Sequence, residues 1–154
     1  MGDTIEKRLT DLDVTLPAAA APAANYVPYA LSGKLLFTAG QLPLKDGKLQ
    51  AAGLLGRDID TAAGREGAKL CAINILAQIK AAIGDLEKIV RVVKITVFVA
   101  STADFTEQHL VANGASDFLV AALGERGRHA RSAVGMASLP LNAAVEVEAI
   151  VEVA

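Results

Sequence analysis

AAVEVEAIVEV, residues 143–153, decides how this chain folds. In an extended strand successive side chains point to opposite faces. Val145, Val147, Ala149, Val151 and Val153 therefore share one side, and Glu146, Glu148, Ile150 and Glu152 the other. The first side is wholly aliphatic and needs a cover. The second mixes charge with an apolar side chain and suits neither water nor a dry core. RVVKITVFVA, residues 91–100, repeats the pattern: Val93, Ile95, Val97 and Val99 oppose Lys94, Thr96 and Phe98. Strands of this kind predict a sheet covered on one face only.

The chain supplies two covers. In DIDTAAGREGAKLCAINILAQIKAAIG, residues 58–84, and just beyond it, Ala72, Ile75, Leu76, Ile79, Ile83 and Leu86 fall on one helical face, while Arg65, Lys69 and Lys80 share another. Asp58 or Asp60 can cap the start of this helix and Gly84 its end. Residues 105–123 read as a second helix, with Val111, Ala115, Phe118 and Ala122 on one stripe and Gly124 closing it. KLLFTAG (34–40) is a strand, and Asp46-Gly47 just after it is a strong hairpin signal, so a meander is expected over residues 34 to 57. SAVGMAS (132–138) supplies a strand before the last one. Ile5, Leu9 and Leu12 suggest a short helix ahead of Pro17, followed by an Ala/Pro connector. The expectation is an α+β fold: a mixed sheet of five to six strands with two helices packed on one face, over residues 26–154. Residues 1–25 form an N-terminal extension.

Composition narrows the function. At 154 residues, a single domain is the default. A formal net charge of −2, 4% aromatic residues and no Trp disfavour nucleic acid and anionic membranes as partners. No apolar run approaches a membrane span. The opening GDTIEKRLTDLDVTLP mixes acids with bases and lacks the apolar stretch of a secretory signal, so a cytoplasmic location is expected. Cys71, the one cysteine, permits no intrachain disulfide, and neither histidine has partners at metal-ligand spacing; no metal is expected. Gly-rich phosphate motifs are absent.

The uncovered sheet face, with Phe98 and Ile150 on it, points to association of identical subunits, the alternative being a solvated sheet. Arg131, Ala133, Gly135 and Ala137 share one side of the preceding strand and are read together with that open face. Arg131 is either an anion receptor, a charged fork matched to a carboxylate, or half of an ion pair with a nearby glutamate. Glu146 either orients and deprotonates a water or closes an interface salt bridge, and Glu148 points the same way. Tyr26 and Tyr29, ahead of the first strand, either reach a ligand or lie at an edge. His109 and His129 lack a triad partner, and Cys71 reads as an inert core residue.

TAGQLP (38–43), KITVFVAS (94–101) and above all ARSAVGMASLPLNAAVEVEAIV (130–151) resemble the reactive intermediate deaminase A family, also called the YjgF family, with this chain in a divergent branch. The resemblance runs from about Tyr26 onward. It implies a chorismate-mutase-like fold and a homotrimer with clefts between subunits. It also implies hydrolysis of small carboxylate-bearing imines and enamines to 2-keto acids and ammonia, without a cofactor. Carried over by position, Arg131 would hold the substrate carboxylate, Glu146 would position the water, and Tyr26, Ala39, Gly40 and Ala133 would line the pocket. Ala39 stands where the family has a serine and Ala133 where it has a cysteine. Those departures leave room for two readings, a deaminase or a non-catalytic trimer that binds small carboxylates. A ribonuclease, a label attached to relatives, fits the acidic chain poorly.

Overall fold

The computed structural model describes residues 2–154. Its sheet has five strands in the order β1 (Tyr29–Ser32), β2 (Leu35–Thr38), β7 (Val145–Val153), β5 (Ile89–Ala100), β6 (Ala130–Met136). The first four pair antiparallel, and β5 and β6 run parallel. A parallel pair needs a crossover, and α3 (Gln108–Leu123) provides it. α2 (Thr61–Ile83) lies beside α3 on the same face, the two packing against β7, β5 and each other. The expected mixed sheet with helices on one face is present.

The parity of β7 holds along its whole length: odd-numbered residues 145–153 are buried under the helices and Glu146, Glu148, Ile150 and Glu152 are half-exposed. α2 begins at Asp60, whose carboxylate accepts from Ala63 N at 2.8 Å, and ends at Gly84 in a positive-φ conformation. β3 (Leu44–Lys45) and β4 (Lys48–Leu49) form the expected hairpin, with Asp46 and Gly47 both at positive φ. α1 (Ile5–Asp11) buries Ile5 and Leu9 in the same core as the sheet and helices.

Four expectations need correction. The hairpin is a separate two-stranded sheet rather than part of a meander over residues 34–57, and the main sheet has five strands, within the five to six expected. Tyr29 lies inside β1, a strand missed because YALS is too short to show a period. The row Val93–Val99 breaks at its start. Two register irregularities turn Val92, not Val93, into the core, since each extra residue flips the faces that follow. α3 starts at Gln108 rather than 105, because Thr102 Oγ1 bonds the Asp104 carboxylate at 2.7 Å and Phe105 N bonds Thr102 O at 3.2 Å, closing a turn instead.

One further finding matters for the site. Arg131, Ala133 and Gly135 pair with Ile95, Val97 and Val99, the buried row of β5. Parallel partners share a face, so these residues look toward the helices and not toward the open face.

α2 and α3 approach closely at Gly114, where a Cβ would collide with the Arg65 carbonyl oxygen. Backbone cannot yield as a flexible side chain does. Gly114→Ala should therefore cost about 2 kcal/mol of stability, read as a lowered urea midpoint with an unchanged slope.

Candidate functional site

The candidate residues form two groups on opposite sides of the sheet. On the helix side, Arg131 reaches from the edge strand β6 to α3. Its Nη1 donates to Asn113 Oδ1 at 2.9 Å and to Ser116 Oγ at 3.2 Å, and its Nη2 donates to the His109 carbonyl at 3.3 Å. All three acceptors are neutral. Among the described residues no carboxylate lies within 4 Å of Arg131, whereas Arg8, Arg57, Arg65, Arg126 and Arg128 each pair with one. The guanidinium is oriented without being neutralised. The structural ion pair considered for it is not formed.

His129 supports this arrangement. Its Nδ1 lies 2.5 Å from the Gly127 carbonyl, which accepts only from N–H; in the neutral ring Nε2 then accepts from Ser116 Oγ at 2.8 Å. Ser116 then gives its proton to the imidazole and a lone pair to Arg131. The sequence reading found no partner for His129 and passed over Asn113 and Ser116. Their signal was available: two polar residues three apart on a helix whose other stripe is apolar. What could not be seen is that β6 runs beneath that stripe. Of His109, only the backbone takes part.

On the open face, Glu146 lies across Gly40. A Cβ at Gly40 would overlap the Glu146 carboxylate, so only glycine leaves the space. Gln41 and Val147 fix the contact, each donating its N–H to the other's carbonyl, at 2.8 and 3.0 Å. Phe98 is directly opposite Glu146 across the β5–β7 ladder. Burial holds the Glu146 carboxyl above its ordinary range, and the charge of Glu148 on the same face adds to the shift. Ala39 is half-buried, its N–H donating to the Pro28 carbonyl at 2.8 Å. Tyr26 is 58% exposed, and its hydroxyl bonds to none of the described residues. Ala133 packs against the core beside Arg131's strand neighbours.

Arg131 and Glu146 are therefore not brought together within one chain. Arg131 is level with Ile95, Glu146 with Phe98, and they leave opposite faces of the sheet. Cys71 is fully buried with its thiol pushed well up by desolvation, unsuited to nucleophilic work. Among the described residues no cluster of three His, Cys, Asp or Glu could hold a metal ion, and no helix is long and apolar enough to cross a membrane.

Residues 6–153 match the family model described as "YjgF/chorismate mutase-like, putative endoribonuclease", and the chain belongs to that family. Protein TCP17 of Trypanosoma cruzi is 50% identical over 149 residues, covering 96% of this chain and 93% of that protein. The crystal structure of Agrobacterium tumefaciens Atu1372, a protein of unknown function, is 59% identical. It superposes with a TM-score of 0.92 over 97% of this chain and 92% of that one. Escherichia coli TdcF, solved with bound serine, is 25% identical, with a TM-score of 0.64 over 88% of this chain and 94% of that one. The gap between 0.92 and 0.64 sets the chain in a branch apart from TdcF.

A carboxyl whose folded-state pKa is raised favours folding while protonated and opposes it once ionised. Its contribution is present below the unfolded-state pKa and lost as pH rises through the folded one. Glu146→Gln should thus be more stable than wild type at pH 7, with the difference closing as pH falls below 4, in a series of urea titrations.

Proposed function

We propose that this protein hydrolyses small imine or enamine carboxylates to 2-keto acids and ammonia, in clefts that two copies of the chain complete together. The observation that carries the reading is the opposed parity of Arg131 and Glu146. A cleft containing both needs the guanidinium of one protomer and the carboxylate of its neighbour. In a closed homotrimer each protomer would give its Arg131 half to one neighbour and its Glu146 half to the other. Leu35, Phe37, Val134 and Met136, all large, apolar and exposed on the open face, favour burial of that face between copies. The serine held by TdcF supports a ligand of the same small, carboxylate-bearing kind.

The chemistry asks for little. Arg131 would clamp the substrate carboxylate through a fork that three neutral acceptors already aim. Glu146, made more basic by burial, would take a proton from water as its oxygen adds to the C=N carbon. The nitrogen gains a proton, the C–N bond of the tetrahedral adduct breaks, ammonia leaves and the carbonyl forms. One water is consumed and nothing is oxidised or reduced. Gly40 keeps Glu146 in place, and Tyr26, Ala39 and Ala133 would form the walls. This reading is of a cytoplasmic enzyme without a cofactor.

Ala39 and Ala133 favour one second reading, a trimer that binds small carboxylates without turnover, because neither offers a hydroxyl or thiol to the adduct. A ribonuclease is poorly supported by a chain of net charge −2.

The test uses 2-iminobutanoate generated in place by a dehydratase. Wild type should shorten its lifetime, and Arg131→Ala should lower kcat/KM about 100-fold, the loss of one charge-assisted pair. Glu146→Gln should lower it at least as much. Unfolding the two variants together and refolding the mixture should restore about a quarter of wild-type activity, since random assortment rebuilds one cleft in four with both native groups. No recovery on mixing would show that the halves are not shared. Binding of 2-keto acids without any imine turnover would establish the second reading.

A further inference from the structure

The three hydrogen bonds that hold Arg131 also choose which of its edges stays free. A guanidinium carries five N–H donors in one plane. Both hydrogens of Nη1 are taken, by Asn113 Oδ1 and Ser116 Oγ, and one of Nη2 goes to the His109 carbonyl. Residues 109, 113 and 116 succeed one another along one face of α3. The helix therefore lies along the Nη1–Nη2 end of the fork. The unused hydrogens are that of Nε and the second of Nη2, on neighbouring nitrogens. Such a pair matches the two oxygens of a carboxylate.

This choice depends on Ser116. A hydroxyl rotates to suit its surroundings, and one turned toward Arg131 would set its proton against an Nη1 hydrogen instead of offering a lone pair. His129 prevents that rotation. In the neutral ring its Nε2 accepts the Ser116 proton at 2.8 Å, while Nδ1–H is anchored on the Gly127 carbonyl. The anchor is itself rigid: Gly127 is buried and pressed against α3, where a Cβ would collide with the Leu119 carbonyl. Among the described residues His129 makes no hydrogen bond to Arg131, so it acts on the guanidinium through Ser116.

We propose that Ser116 and His129 are positioning residues for the substrate carboxylate. They keep Nη1 engaged, so that the acid docks on the Nε–Nη2 edge alone and in one orientation. Neither touches substrate. The proposal rests on the reading of Arg131 given above and adds a direction of approach to it. In an imine acid the reacting carbon is bonded to the carboxylate. Fixing the plane of the carboxylate therefore fixes where that carbon meets the water.

Titration calorimetry of the full chain with 2-oxobutanoate reads the carboxylate without requiring turnover. Ser116→Ala and His129→Phe should each weaken binding about 5-fold, the effect of losing one neutral hydrogen bond. The double variant should bind no more weakly than Ser116→Ala alone, because two residues acting in series do not add. His129→Gln, whose side-chain carbonyl can accept the Ser116 proton, should recover most of the affinity. A spectroscopic readout reports the edge directly: in isotope-labelled wild type the Arg131 Nε–H resonance should move downfield as 2-oxobutanoate binds. An Nε–H resonance that stays in place while the acid binds would overturn the docking edge, whether or not any variant folds. Full affinity in Ser116→Ala, or additive losses in the double variant, would overturn the relay; each of these leaves Arg131's own part standing. Binding undiminished by Arg131→Ala, or no binding of 2-oxobutanoate at all, would overturn the Arg131 reading and this inference with it.

Discussion

The strict alternation of β7 is the constraint on which the molecule depends. Five aliphatic side chains face one way and can be desolvated only by helices, so α2 and α3 must share that face. The crossover through α3 then makes β6 an edge strand parallel to β5. From this the two halves of the site follow. β6 presents Arg131 to the underside of α3, and β7 presents Glu146 to the open side. A shift of one residue in either strand would exchange the faces and destroy both halves at once.

The two halves are built differently. Around Arg131 the protein uses neutral dipoles: a carbonyl, an amide and a hydroxyl, the last braced by His129. These fix the guanidinium while leaving its charge uncompensated. Around Glu146 it uses emptiness and burial. Gly40 makes room, the ladder from Gln41 to Val147 holds the distance, and the apolar surroundings with Glu148 make ionisation costly. In the function proposed above, the first group would attract an anion and the second would accept a proton.

Much of the fold was legible, because its information is periodic. The parity of 143–153, the helical stripe and both caps of α2, and the Asp46-Gly47 turn all follow from local rules that burial reinforces. The sequence misled where non-local geometry intervened. The irregularities of β5 moved the core row from Val93 to Val92, and only pairing with β7 reveals them. The same limit applied to the site. Arg131 and Glu146 were picked out by residue type and by resemblance. That they leave opposite faces depends on β6 pairing parallel to β5, a choice no stretch of β6 encodes by itself. Asn113 and Ser116 went unnoticed because their importance comes from what lies beneath α3.

The contact between Gly40 and Glu146 binds the fates of two positions 106 residues apart. A lineage that gains any side chain at the first must swing the carboxylate away or surrender it. The constraint runs one way: the acid can be lost without strain at position 40, but position 40 can gain a side chain only if that carboxylate moves or goes.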